Sequence, residues 1–169
     1  MLSKAIAGSG ALLAVCLVLG GCAAGDTGAS SCPVLDAEHF GFDSSATVTD
    51  PEELAESVGL GGVLEGTCAY GFVTDDLGAV AFHIADPSDE AVEAFLERAD
   101  GLLLDAEFED FRPLPMGMMK RGPDDVQYSV LYFEDFGLDD GISPEQFENM
   151  GLVEGEPLLT GGIAIPLGD

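Results

Sequence analysis

The sequence predicts an α+β domain, with a mainly antiparallel sheet covered by helices. Three observations predict this class: helix-start signatures in which a capping residue precedes proline, alternating apolar segments in hairpin-like pairs, and an order of roughly α-β-β-α-β-β-α-β. The 169 residues are 47% apolar. A chain of this length and composition can bury a core of its own, so we expect a folded domain and not a disordered chain.

The first elements are a short helix and a hairpin. Asp50 can cap the helix, Pro51 suits its first position, and Gly59 ends it. Residues 67–73 and 79–85 then alternate apolar and small or polar side chains on either side of a turn, which predicts two antiparallel strands. In the second run His83 falls opposite Phe82 and Ile84, so we expect it at the surface in a structural role, as we expect for His39.

The longest predicted helix begins at Asp86-Pro87. Its apolar residues recur at helical spacing: Ala91, Val92, Phe95, Leu96 and Ala99. Gly101 is expected to end it, because glycine favours the residue after a helix. Residues 102–111 are then expected to form a strand.

Three further elements complete the prediction. Residues 126–133 are the clearest strand, and Ser143-Pro144 opens a short helix that ends near Gly151. Residues 157–165 are expected to form a last strand, broken at Gly161-Gly162.

The charge of the chain excludes one class of partner. There are 32 Asp and Glu against five Lys and Arg, for a formal net charge of −27. Such a surface repels nucleic-acid phosphates, so nucleic-acid binding is excluded. The acidity is typical of an envelope protein from a high-GC genome, or else of a halophile.

The N-terminal segment has the order of a secretory signal: Lys4, an apolar stretch over residues 5–19, then small residues. Leu19-Gly20-Gly21-Cys22 resembles the lipobox of bacterial lipoproteins. This resemblance implies that residues 1–21 are a signal peptide and that Cys22 carries a thioether-linked diacylglycerol. The chain would then be anchored to the cell membrane on its extracytoplasmic side. The alternative is a secreted protein in which Cys22 is a plain thiol.

The remaining chain divides into a tether and one domain. Residues 22–31 are small and polar, which is typical of a flexible tether, and residues 32–169 contain no further linker. Cys16 leaves with the leader and Cys22 takes the lipid, so Cys32 and Cys68 should form a disulfide in an oxidising compartment. A metal site formed by these two cysteines is the less favoured interpretation, because there is no CxxC pair.

The lipobox, the short tether, Ser31-Cys32-Pro33 and the Cys68 strand together resemble small two-cysteine lipoproteins of high-GC Gram-positive bacteria. Many families with this layout have no assigned activity, so the resemblance implies a location and not a reaction. We therefore expect a binding or accessory module of the cell envelope, whose partner is an envelope protein or a wall component. The alternatives are a carboxylate-based hydrolase and a surface protein that binds divalent cations weakly.

One segment departs from the acidic background, because residues 112–121 combine basic charge with methionine in a proline-marked loop. Methionine adapts to irregular partners and arginine is enriched at interfaces. The candidate contact residues are Arg112, Met116, Met118, Met119, Lys120 and Arg121. The competing interpretation is that the methionines complete the core while the cations neutralise neighbouring acids. A Cu(I) site on the three methionines is chemically allowed but less favoured.

Two groups of acidic residues are less favoured candidates for a functional site. Asp135, Asp139 and Asp140 could bind calcium loosely, although the segment does not fit an EF-hand. The carboxylates at 105, 107 and 109 would share one strand face, where a pair could serve glycoside hydrolysis. No recognised nucleophile, zinc or phosphate-binding motif is present, and no cofactor is predicted.

Overall fold

Seven antiparallel strands form one sheet in the order β1-β2-β3-β7-β6-β5-β4. The computed structural model of the chain describes residues 32–40, 45–114, 117–137 and 144–168. The strands are β1 (Thr47–Thr49), β2 (Cys68–Val73), β3 (Leu77–Ala85), β4 (Glu109–Leu114), β5 (Gly117–Arg121), β6 (Gln127–Phe133) and β7 (Leu158–Pro166). The helices are α1 (Pro51–Ser57), α2 (Asp89–Asp105) and α3 (Pro144–Asn149). The fold is therefore α+β, and β1 and β5 are strands that the predicted order lacks.

The first helix and the hairpin are confirmed. The Asp50 side chain accepts a hydrogen bond of 2.9 Å from the Glu52 amide at the start of α1. Strands β2 and β3 pair antiparallel, with Cys68 opposite His83 and Val73 opposite Gly78. The predicted strand at 126–133 and the short helix after Ser143 are also present, as β6 and α3.

Helix α2 is longer than predicted. Ser88 caps it through the Ala91 amide, at 3.2 Å, and the helix continues through Gly101 to Asp105. The expected stop at Gly101 is therefore wrong, and of the strand predicted at 102–111 only residues 109–111 are in a strand, as the start of β4. Leu103 is completely buried, and its packing outweighs the roughly 1 kcal/mol that glycine costs inside a helix.

Strand β7 is continuous through Gly161-Gly162, so the predicted break is wrong. The glycines permit a close approach, because a Cβ on Gly161 would overlap the Phe82 ring and the Ser129 carbonyl oxygen. This allows β7 to pair without interruption with β3 on one side and with β6 on the other.

Different segments pack against the two faces of the sheet. On one face α2 shares the largest buried cluster, where the rings of Phe95 and Phe82 lie 5.7 Å apart. On the other face residues 32–40 pack over β2, and the Phe40 ring lies 5.1 Å from that of Tyr70. His83 lies on this second face and is 2% exposed, so the prediction that it is at the surface is wrong.

Candidate functional site

The predicted disulfide is present. Cys32 and Cys68 are bonded, with 5.4 Å between their Cα atoms, so these thiols are not metal ligands. The bond attaches residues 32–40 to β2, where the Tyr70 hydroxyl also donates a 3.0 Å hydrogen bond to the Pro33 carbonyl oxygen. Cys22, the predicted lipid site, lies outside the described residues.

The segment 112–121 belongs to two paired strands, and only residues 115–116 within it lie outside the described chain. Met116 is therefore not described. Because side chains alternate along a strand, Met118 and Lys120 lie on the face of α2, whereas Met119 and Arg121 lie on the opposite face. The candidate contact residues therefore do not form one loop or one surface.

Lys120 is engaged within the domain. Its Nζ lies 2.7 Å from Asp100 Oδ1 of α2 and 3.7 Å from Asp110 Oδ1 of β4. The lysine side chain is only 17% exposed, so this contact joins strand β5 to helix α2. Here the competing interpretation, that a cation neutralises nearby acids, describes the structure.

The two arginines meet at an aromatic ring. A bulge between Asp110 and Arg112 adds Phe111 to strand β4 as an extra residue. The Arg121 Cζ lies 3.7 Å from the centre of this ring, and the Arg112 Cζ lies 5.8 Å from it. The resulting cation–π cluster is partly exposed, because Phe111 retains 39% of its accessible surface.

The acidic candidates are not assembled into a site by the described part of the chain. In those residues no three His, Cys, Asp or Glu side chains are close enough to hold a metal ion. Asp135 is exposed, while Asp139 and Asp140 lie outside the described residues. The prediction that residues 105, 107 and 109 share a strand face is wrong, because residue 105 ends α2 and only residue 109 belongs to β4. The side chain of His39 is not among those described.

A groove lies between α2 and strands β5 and β6. It consists of two adjoining cavities of about 770 and 530 Å³, both of which are lined by Leu96, Met118 and Tyr132. Val130 adds to the apolar floor of the larger cavity. The three shared side chains pack against the core but are only partly buried, so an apolar surface remains open to a ligand.

The rim of the groove is acidic on both sides. Asp89, Glu93 and Glu97 follow one another along α2 at intervals of one helical turn, and Glu134 and Asp135 lie at the end of β6. All five side chains are exposed. Partial burial raises the pKa of the Tyr132 hydroxyl, and the carboxylates of Asp89 and Glu134 raise it further.

No basic side chain neutralises these five carboxylates in the described residues. The chain has four Lys and Arg residues after Cys22. Arg98 donates a 2.6 Å hydrogen bond to the Glu65 carbonyl oxygen, and Arg112 and Arg121 lie at Phe111. Of the acids that line the groove, Lys120 contacts only Asp100, at one end. The groove therefore combines an apolar floor with an uncompensated negative rim.

Sequence reasoning found Leu96 and Met118 but did not assign them to one site. The sequence pattern that could have indicated the rim is the acidic residue at each turn of α2, with no basic residues at the matching spacing. The groove also needs β5, a strand that the sequence analysis assigned to a loop.

Comparison with known proteins gives no relative: no protein-family model, curated protein or solved structure matches this chain. Among the helices that the structure describes, none is long and apolar enough to cross a membrane.

Proposed function

We propose that this chain is a lipid-anchored extracytoplasmic lipoprotein that acts as a binding module of the cell envelope. Leu19-Gly20-Gly21-Cys22 supports the anchor, and an oxidising location agrees with the disulfide between Cys32 and Cys68. In this proposal the lipid on Cys22 holds the domain at the membrane, and the domain contacts an envelope protein or a wall component.

The groove is the observation that carries the binding role. Its larger cavity, about 770 Å³, lies in the size range of ligand sites, and its floor is apolar. Residues of α1 and α2 belong to the largest buried cluster, but Leu96 of α2 and Met118 of β5 remain partly exposed at its edge. Apolar surface that stays open between packed elements is typical of a binding site.

Crosslinking in cells tests the binding role. A photoreactive amino acid is placed at Glu93, on the rim of the groove, in the natively expressed lipoprotein. The matched control carries the same amino acid at Glu52, an exposed glutamate of α1 outside the groove. We expect a defined crosslinked partner from position 93 and none from position 52. The same product from both positions, or none from either, would contradict the proposal.

The anchor needs its own test. Radiolabelled fatty acid should be incorporated into the wild-type protein and not into Cys22→Ala, which should leave the membrane fraction. Equal labelling of the two forms, or membrane retention of Cys22→Ala, contradicts a lipid on Cys22.

A further inference from the structure

The geometry points to a basic amphipathic helix of a partner protein as the occupant of the groove between α2 and strands β5 and β6. This inference rests on the proposed binding function and adds the chemistry of the partner. The partner helix would place bulky apolar side chains against Leu96, Met118 and Tyr132, and lysine or arginine side chains against the acidic rim.

The width of the open sheet fits a helix. Strands β6, β5 and β4 are neighbours at this end of the sheet, and two strand spacings of about 4.8 Å span about 10 Å. An α-helix with its side chains has a diameter of about 10 Å. A helix beside α2 would therefore fill the part of the face on which Met118 and Tyr132 remain partly exposed.

The length of the groove favours a helix over a small organic cation. The groove follows α2 from Asp89 to Asp100, a length of about 16 Å at 1.5 Å per residue. A single amine could meet one or two of the rim carboxylates, but it would leave most of the floor uncovered. A helix of three or more turns would cover the floor along its whole length.

Charge complementarity sets the composition of the partner helix. Asp89, Glu93 and Glu97 are four residues apart, and this spacing places such side chains on one helix face about 6 Å apart. Basic residues at the same spacing on an incoming helix would lie opposite them. No lysine or arginine of the described chain neutralises these three acids, so they are open to basic side chains of a partner.

Calorimetry with a model peptide tests the inference. The full chain is held in phosphatidylcholine nanodiscs at about 0.15 M salt, with empty nanodiscs as the blank. The probe is a helical peptide of about 18 residues made from leucine, lysine and alanine, with leucine on one face and lysine beside it. The comparison peptide has the same composition in an order that gives no apolar face. We expect the amphipathic peptide to bind at least about tenfold more tightly.

Two pairs of variants separate the groove from the general acidity of the chain. Leu96→Ala should weaken peptide binding roughly tenfold, while Leu104→Ala, which changes a 75% exposed leucine of the same helix, should not. Glu93→Gln with Glu97→Gln should also weaken it roughly tenfold. Glu52→Gln with Glu53→Gln removes the same charge from α1 and should change binding less than about twofold.

Several results would overturn the inference: equal binding of the two peptides, equal effects within either pair of variants, or binding of phenethylammonium as tight as that of the peptide. A crosslink from position 93 together with equal binding of the two peptides would contradict a helical partner but not the proposed binding function. Selective peptide binding without any crosslink in cells removes the proposed function and leaves the chemistry of the groove.

Discussion

The imidazole ring of His83 stacks on the ring of Tyr70, with 5.9 Å between the ring centres and 10° between the ring planes. The two residues lie on neighbouring strands of the face that residues 32–40 cover. His83 is 2% exposed, and burial lowers its pKa to about 4. Its neutral form is therefore the one that the folded state accommodates.

This burial predicts an acid-sensitive stability. Well above pH 6.5 His83 is neutral in both the folded and the unfolded chain, so its contribution is constant. As the pH falls from 6.5 to about 4, His83 becomes protonated in the unfolded chain but stays neutral in the folded chain, and the folded state loses stability. At about 1.4 kcal/mol per pH unit the loss amounts to about 3 kcal/mol.

Urea unfolding at a series of pH values measures this loss, with His83→Gln as the control. The glutamine keeps a polar side chain of similar size but does not titrate. Both proteins share the titration of the carboxylates, so the difference between their profiles isolates His83. Parallel profiles between pH 6.5 and 4 would show that His83 does not drive the acid sensitivity.

The burial of His83 could not be predicted from the sequence. Alternation correctly placed it opposite Phe82, but a single strand does not reveal whether its second face is covered. The cover comes from residues 32–40, more than forty positions earlier in the chain, and the Cys32–Cys68 bond attaches it. The pairing of these cysteines could be predicted from their number, while the surface that they bring together could not.

Sequence patterns correctly predicted the elements that depend only on neighbouring residues. The cap at Asp50 and the alternation over residues 126–133 identified α1 and β6. The signal at Gly101 failed because the burial of Leu103 in the core decides where α2 ends. The groove depends on the pairing of β5 with β6, which is a tertiary relationship and leaves no local pattern.

The acidity of the chain predicts a strong dependence of stability on salt. With 32 acidic side chains against five basic ones, folding brings like charges together. Raising the ionic strength from about 0.01 to 0.15 M shortens the screening length from about 30 to 8 Å. We expect the melting temperature, measured by calorimetry in sodium chloride, to rise by several degrees, and a constant value would contradict strong self-repulsion. Calcium chloride at the same ionic strength is the comparison, because an additional rise there would indicate a cation site and not screening.

The disulfide should contribute much of the stability. It closes a loop between residues that are 36 positions apart, for which chain entropy gives about 3 to 4 kcal/mol. Changing both Cys32 and Cys68 to Ser should lower the free energy of unfolding by about this amount in urea titrations. It should also expose the Tyr70 ring that residues 32–40 cover, which tyrosine fluorescence would detect. Unchanged stability in the double variant would contradict this contribution of the disulfide.

Two glycines should respond in opposite directions to the same change. At Gly161 a Cβ would lie 2.5 Å from the Phe82 ring and overlap the Ser129 carbonyl oxygen, so Gly161→Ala forces the central strands apart. We expect a loss of about 1 to 3 kcal/mol from this overpacking. At Gly101, inside α2, a Cβ would meet nothing within 4 Å, so Gly101→Ala should add about 0.5 to 1 kcal/mol by favouring the helix. Thermal unfolding of the two variants measures both effects, and a loss of stability in Gly101→Ala would mean that α2 does not continue through this residue.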